Sequence, residues 1–382
     1  MNSLSGAITQ FGLDLFQELR KSEKGNIFLS PLNIASALSM LLLGARNNTA
    51  LQIEKVLHLK EVTENTKADS TGNVHDQFHK LLTELKKSTG DYQLNIANGL
   101  YGEKTFQFLQ EYVDNNKKFY LASVESVDFV NAAEESEKKI NSWVESQTNG
   151  KIKDLFPKGS LDSSTILVLL NAVYFKGQWA EAFKKEYTEE GEFWVNKNES
   201  KPVQMMKQSA LFNLAFLKDE KAKILEIPYK GKDLSMFVLL PDEVDGLQKL
   251  EDKLTAEKLI KWMSSANMRK RNVDLYLPRF KLEESYKLHT QLGDMGMQDA
   301  FSNHADFSGM TGGRGLKVSK ILHKSFVDVN EEGTEAAAAT GTQIVVTSAP
   351  IYEKFHCDHP FLFVIMEKDT ESILFLGAVS SP

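Results

Sequence analysis

Apolar residues recur at three- and four-residue spacing near the start of the chain. Leu4, Ile8, Phe11, Leu15 and Leu19 fall on one helical face, which predicts an amphipathic helix over 4–19. Ser30-Pro31 predicts the start of a second helix: serine can accept a hydrogen bond from a free backbone N–H, and proline fits the first helical position without needing a donor. Positions 32–43 are apolar nearly all round, so this helix should be buried, with Gly44 ending it. Thr49 and Gln52 have capping-box spacing ahead of Ile53, Val56 and Leu57. Residues 60–75 are polar and aperiodic and read as a surface loop between helices. Further helices are expected over 134–145, ended by Asn149-Gly150, and over 255–263.

The period changes at 164–175, a run rich in β-branched and aromatic residues and apolar on both faces. It predicts a central strand covered on each side, in which Asn171 is the one amide and must find partners inside. Other strands are expected at 224–229, 234–240, 273–280, 360–367 and 372–379, the last two joined as a hairpin through Lys368-Asp369-Thr370-Glu371. Helices and strands are interspersed, with no internal repeat and no Pro/Gly/Ser-rich linker, so the class is α+β.

Residues 331–350, EEGTEAAAATGTQIVVTSAP, break the pattern. The first half favours helix and the second is β-branched, with Gly341 between them. Alternate residues Thr334, Ala336, Ala338, Thr340, Thr342, Ile344 and Val346 are all small or apolar, whereas the other set contains Glu335 and Gln343. As a strand, one face could enter a core while the other stays wet. From these residues alone, a flexible Ala/Thr linker is the favoured reading.

Length alone, at 382 residues, argues for two domains, since single cores usually stop growing near about 250–300 residues. The net charge of −7 and 42% hydrophobic content are ordinary for a globular protein. The basic run Arg269-Lys270-Arg271 reads as a solvated face, so no nucleic-acid partner is expected. No secretory signal or membrane-spanning run is present. The sequons at Asn47 and Asn198 are therefore read as chance. Cys357 is the only cysteine, so no intramolecular disulfide can form, in keeping with a reducing compartment. The eight histidines and one cysteine form no metal-ligand spacing, and no cofactor is expected. His356-Cys357 is not a dyad, because adjacent strand residues point to opposite faces; Cys357 reads as a small side chain packed at a sheet edge. Gly312-Gly313-Arg314-Gly315 lacks the lysine-threonine ending of a phosphate loop and reads as a turn.

The run Glu331-Glu332-Gly333-Thr334-Glu335-Ala336-Ala337-Ala338-Ala339-Thr340 resembles the hinge of inhibitory serpins. The likeness continues through Asn26-Ile27-Phe28-Leu29-Ser30-Pro31, Gly44-Ala45-Arg46-Asn47-Asn48-Thr49, the stretch from Leu170 to Trp179, Ala305-Asp306-Phe307-Ser308-Gly309-Met310 and Asp358-His359-Pro360-Phe361-Leu362-Phe363. It covers essentially the whole chain. The missing signal peptide and N-terminal extension and the short C-terminus resemble the ovalbumin-type, intracellular (clade B) branch. Within it, Met1-Asn2-Ser3-Leu4-Ser5 and Phe355-His356-Cys357-Asp358-His359-Pro360-Phe361 are similar to the squamous cell carcinoma antigen group.

The resemblance implies one domain over 1–382, with three sheets, eight or nine helices and an exposed reactive-centre loop at 331–350, overriding the two-domain expectation. It also implies a suicide inhibitor rather than an enzyme. A protease forms an acyl-enzyme with the loop, which then inserts into the main sheet; serpin loop insertion is itself an established instance of strand addition. Counted from Gly333, the scissile bond falls at Thr347–Ser348, flanked by Ile344, Val345 and Val346. Small β-branched residues there favour a papain-like cysteine protease, with an elastase- or chymotrypsin-like serine protease as the alternative. A non-inhibitory serpin is a further alternative, opposed by the absence of charge, bulk or proline at the inward hinge positions. Ser30, Asn33, Asn171 and His323 match a hydrogen-bonded cluster beneath the opening of the main sheet, and Trp179 matches the residue where insertion begins. Asn33 stands where many members carry serine. Ala378 replaces a usual basic residue. The implied partner is the target protease, bound covalently by a monomer in the cytoplasm, with release by an unconventional route as a further location.

Overall fold

Strand positions apolar on both faces need cover from two sides, and the computed structural model arranges its elements accordingly. It describes residues 3–68, 73–87, 90–332 and 351–382; strands and helices are numbered here in chain order. A five-stranded sheet runs β10 (Phe280–Lys287), β11 (Lys320–Val329), β4 (Leu167–Gly177), β2 (Tyr92–Glu103), β3 (Ser123–Val127). β4 is its central strand. One side of β4 (Leu169, Val173, Phe175) faces the main core. The other (Val168, Leu170, Ala172, Tyr174) lies under helix α7 (Phe129–Gln147), against Phe129, Ile140 and Val144.

The other nine strands form two sheets that share one long strand, so hydrogen bonding passes through both without a break. The shared strand is β6 (Ser200–Leu217). Its end pairs with β7 (Ala222–Pro228), followed by β8 (Leu234–Pro241), β13 (Phe361–Glu367), β14 (Ser372–Val379) and β1 (Ile27–Leu29). Its start pairs with β5 (Glu189–Trp194), and its middle with β9 (Arg269–Pro278), which carries the edge strand β12 (Glu353–His356). β13 and β14 form the expected antiparallel hairpin.

Helix α1 (Ser3–Arg20) buries the predicted face against α2 (Pro31–Gly44) and β14. α2 is buried along almost its whole length, as its all-round apolar sequence requires. Among the described residues there are eleven helices, against the eight or nine expected. The surplus comes from short pieces: α8 (Leu247–Lys253), α10 (His289–Met295) and α11 (Ser308–Thr311). α9 (Ala256–Met263) starts as expected, with the Thr255 hydroxyl accepting from the Lys258 N–H.

Three expectations need correction. Residues 60–75 are not a loop between helices: α4 (Leu59–Ala68) occupies most of the stretch and α5 (Val74–Lys86) begins before it ends. Among the described side chains of α4, Leu59 and Val62, one turn apart, are buried and anchor a largely polar helix. The capping box at Thr49 and Gln52 does not form. α3 (Asn47–Val56) begins earlier, and these side chains instead accept the backbone N–H groups of Asp306 and Asp299 at 2.9 Å. Finally, Ser30 precedes α2 but makes no side-chain cap. Of the remaining helices, α6 (Gln110–Tyr120) packs against α2 and α5.

Candidate functional site

Parallel neighbours cannot be joined by a short hairpin and are bonded by slanted, slightly weaker ladders. β11 and β4 are such a pair, in register from Lys320 opposite Val168 to Asp328 opposite Lys176. Nothing lies between them: the seam is closed along its length. β11 leads into segment 333–350, and β12 receives the chain after it.

The middle of the seam is held from below. His323 on β11 is fully buried, and its Nδ1 lies 2.8 Å from Oδ1 of Asn171, its register partner on β4. The Ser30 N–H donates to His323 Nε2 at 3.1 Å, which fixes the neutral tautomer with the proton on Nδ1, donated to Asn171. Ser30 Oγ donates to the Leu374 carbonyl at 2.6 Å and accepts from Asn33 Nδ2 at 2.7 Å. β4, β11, the start of α2 and β14 thus meet in one uncharged cluster. Burial pulls the His323 pKa down to about 3 from its ordinary 6.5, so the ring stays neutral. Asn33 takes part through a bond that its longer side chain makes to Ser30.

The upper end is held differently. Trp179 donates its backbone N–H to the Glu332 carbonyl at 3.2 Å and its indole N–H to the Asn330 carbonyl at 2.8 Å. Its ring stacks on Tyr229, with centroids 4.5 Å apart. Gly177 is required beside it: a Cβ there would lie 2.4 Å from the Tyr229 ring. Glu331, 2% exposed, receives both Nε (2.8 Å) and a terminal nitrogen of Arg279, together with the Thr188 hydroxyl at 3.0 Å. The bidentate guanidinium holds the Glu331 carboxyl below its ordinary range. Lys176, 2.8 Å from Glu332, has its pKa raised by that bond.

Residues 6–382 match the family described as serpin (serine protease inhibitor). The chain belongs to the serpin family. Serpin B4 of Homo sapiens is 63% identical to it over 390 residues, Serpin B13 of Homo sapiens 58% over 396, and the leukocyte elastase inhibitor of Equus caballus 48% over 388, each covering 100% of both chains. Uncleaved ovalbumin, 40% identical, superposes with a TM-score of 0.90 over 100% of both chains. These relatives put this serpin in the ovalbumin-type clade B branch, as a protease inhibitor and not an enzyme.

Of the residues singled out from the sequence of this serpin, Ser30, Asn33, Asn171 and His323 are brought together, and Trp179, Glu331 and Glu332 meet at the upper end. Gly333 to Thr340, Ile344, Val345, Val346, Thr347 and Ser348 lie outside the described residues. Sequence reasoning missed Lys176, Thr188, Tyr229 and Arg279. Arg279 alone left a trace, as a charged residue between Pro278 and Phe280 in a run otherwise read as one strand; it sits where β9 ends and β10 begins. Cys357 is fully buried after the edge strand β12, and burial pushes its thiol pKa well up, away from nucleophilic use. Ala378 is buried between Ile27 and Leu362 on the neighbouring strands, where a basic side chain would have to be desolvated. No helix among the described residues is long and apolar enough to cross a membrane.

Proposed function

We propose that this serpin traps its target as an acyl-enzyme and then draws its own cleaved segment into the five-stranded sheet. The attacking serine oxygen or cysteine sulfur adds to the carbonyl carbon of Thr347. The Thr347–Ser348 amide bond breaks, Ser348 leaves as a free amine carrying a proton, and Thr347 is held as an ester or thioester. The observation that carries this reading is the direct parallel pairing of β11 with β4. Segment 333–350 follows β11, and after turning back at Gly333 it would run antiparallel to it. Between two parallel strands such a segment is antiparallel to both, so one slanted ladder gives way to two antiparallel ones.

The uncharged set Thr334, Ala336, Ala338, Thr340, Thr342, Ile344 and Val346 supplies the face that such a strand must bury. About a dozen added ladder bonds, at about 1 kcal/mol each, are comparable with the whole stability of an ordinary domain, about 5–15 kcal/mol. Gly333 suits the turn because it has no Cβ.

Val345, Val346 and Thr347 favour a papain-like cysteine protease. An elastase-like serine protease is the second reading, supported by the 48% identity to a protein named leukocyte elastase inhibitor. The inhibitor is taken to act as a monomer in the cytoplasm, with unconventional release as its route to extracellular enzymes. Incubation with one protease of each class tests the proposal. An SDS-resistant complex and a released peptide beginning at Ser348, identified by mass spectrometry, are expected from the true target class. Nicking the loop should raise the melting temperature by tens of degrees. If no complex forms and the nicked chain melts where the intact one does, the proposal fails.

A further inference from the structure

The exposed face of β6, β9 and β12 gathers cations around aromatic rings. Lys207 and Lys354 stand 5.4 and 5.6 Å from the centre of the Tyr276 ring, and the His356 ring lies 4.6 Å from it, tilted by 38°. Register places them together: Lys207 and His356 both lie opposite Tyr276, and Lys354 lies opposite Asp274. Lys270 continues the same face, as does Leu211, which is 62% exposed. Two carboxylates touch this group: Asp274, engaged by the Ser209 hydroxyl, and Asp358, 3.8 Å from His356 Nδ1 and also paired with His359 at 2.8 Å; Lys207, Lys354 and Lys270 leave the face net positive. A basic, partly apolar face on a chain of net charge −7 is a local reversal of sign, and such faces raise encounter rates with acidic partners.

Position supplies the occupant. β12 begins at Glu353, five residues beyond Ser348, a span of at most about 18 Å even when fully extended. A protease with Thr347 in its active site must therefore hold the rim of its cleft close to this face. We propose that the outer face of β6, β9 and β12 is an accessory docking surface for the target protease, taking a carboxylate-rich patch beside the protease's cleft. The inference rests on Thr347–Ser348 being the cleaved bond. A solvated strand face would explain the lysines alone; it leaves the exposed Leu211 and the continuity with the loop's far anchor without a role.

The test is the second-order rate of inhibition of an acidic papain-like protease and of a basic elastase-like one, as a function of salt. Lys207→Glu/Lys354→Glu should slow capture of the acidic enzyme about tenfold or more at low ionic strength, with the difference closing as salt rises. The stoichiometry of inhibition and the SDS-resistant complex should be unchanged. Lys270→Glu, further from β12, should give a smaller loss and serves if the double variant folds poorly. Equal rates for variant and wild type at every salt concentration overturn the docking surface. So does an equal loss against both proteases or a raised stoichiometry, since either marks an effect on the loop. Capture confined to the basic enzyme overturns it too. Failure of the wild type to form a covalent complex with either protease sinks the cleavage reading itself, and is seen before any variant is made.

Discussion

The middle and the upper end of the β4–β11 seam are closed by opposite kinds of chemistry. In the middle, His323, Asn171, Ser30 and Asn33 are buried and uncharged, and each bond there stands in for one that water would otherwise make. At the upper end, Glu331 and Glu332 are tied to Arg279 and Lys176, cations whose side chains are 43% and 28% exposed. The Lys176–Glu332 pair, partly exposed on both sides, gives way at little cost and the exposed Arg279 guanidinium can turn to water, whereas a buried donor left without an acceptor in the middle costs about 1–3 kcal/mol. Parting of the strands should therefore start at Trp179 and halt at His323 unless something drives it further. Under the proposed mechanism, the entering loop is that drive.

The largest effect is expected from blocking the drive itself. Thr334→Arg puts an unpaired charge on the face that must be buried, so the variant should be cut without retaining the protease. An undiminished SDS-resistant complex from this variant would show that Thr334 does not face inward. Acid should attack the middle of the seam next. In the unfolded chain His323 takes up a proton below about pH 6.5, but in the fold only near pH 3. The unfolded chain thus binds the additional proton between these values, and stability falls as pH drops through that window, by on the order of several kcal/mol at its lower end. Thermal melts of His323→Gln should show a flatter acid limb than the wild type. A smaller loss, about 1–3 kcal/mol at neutral pH, is expected from Asn171→Leu, which strands the His323 Nδ1–H. Denaturant titration would measure it, and an unchanged midpoint would remove the cluster from the account of what holds the sheet shut. The smallest effect belongs to the rim. A double-mutant cycle of Glu332→Gln and Lys176→Ala, the pair partly exposed on both sides, should return a coupling of about 1 kcal/mol or less that declines with added salt. Because Glu331 is held below its ordinary range, its share is present at neutral pH and is lost as acid protonates it.

Elements whose side chains answer to a single demand were readable from sequence. α1 needs one apolar face, α2 needs burial all round and β4 needs cover on both sides, and each declares this in its period. β2 and β6 were not recognised. Gly99 and Gly102 sit in β2 because the rings of Trp143 and Phe108 pack against its backbone, and they interrupt the strand signal. β6 changes partners along its length, from β5 to β9 to β7, so no single alternation runs through it. At the candidate site, Asn171 stood out as the one amide in an apolar strand, but His323 was found only through the family resemblance, since a lone histidine in an apolar strand has no local signature. Lys176 and Arg279 were invisible because their meaning lies in partners more than 50 residues away in the chain.

The buried thiol at the end of β12 gives the molecule an internal reporter. Cys357 donates its backbone N–H to the Tyr276 carbonyl and is sealed while β12 stays paired with β9. Alkylation in the native state therefore has to wait for this edge to peel away. The labelling rate becomes a clock for how often the strand beyond the loop lets go, and it can be read without any engineered probe because the chain has no second cysteine.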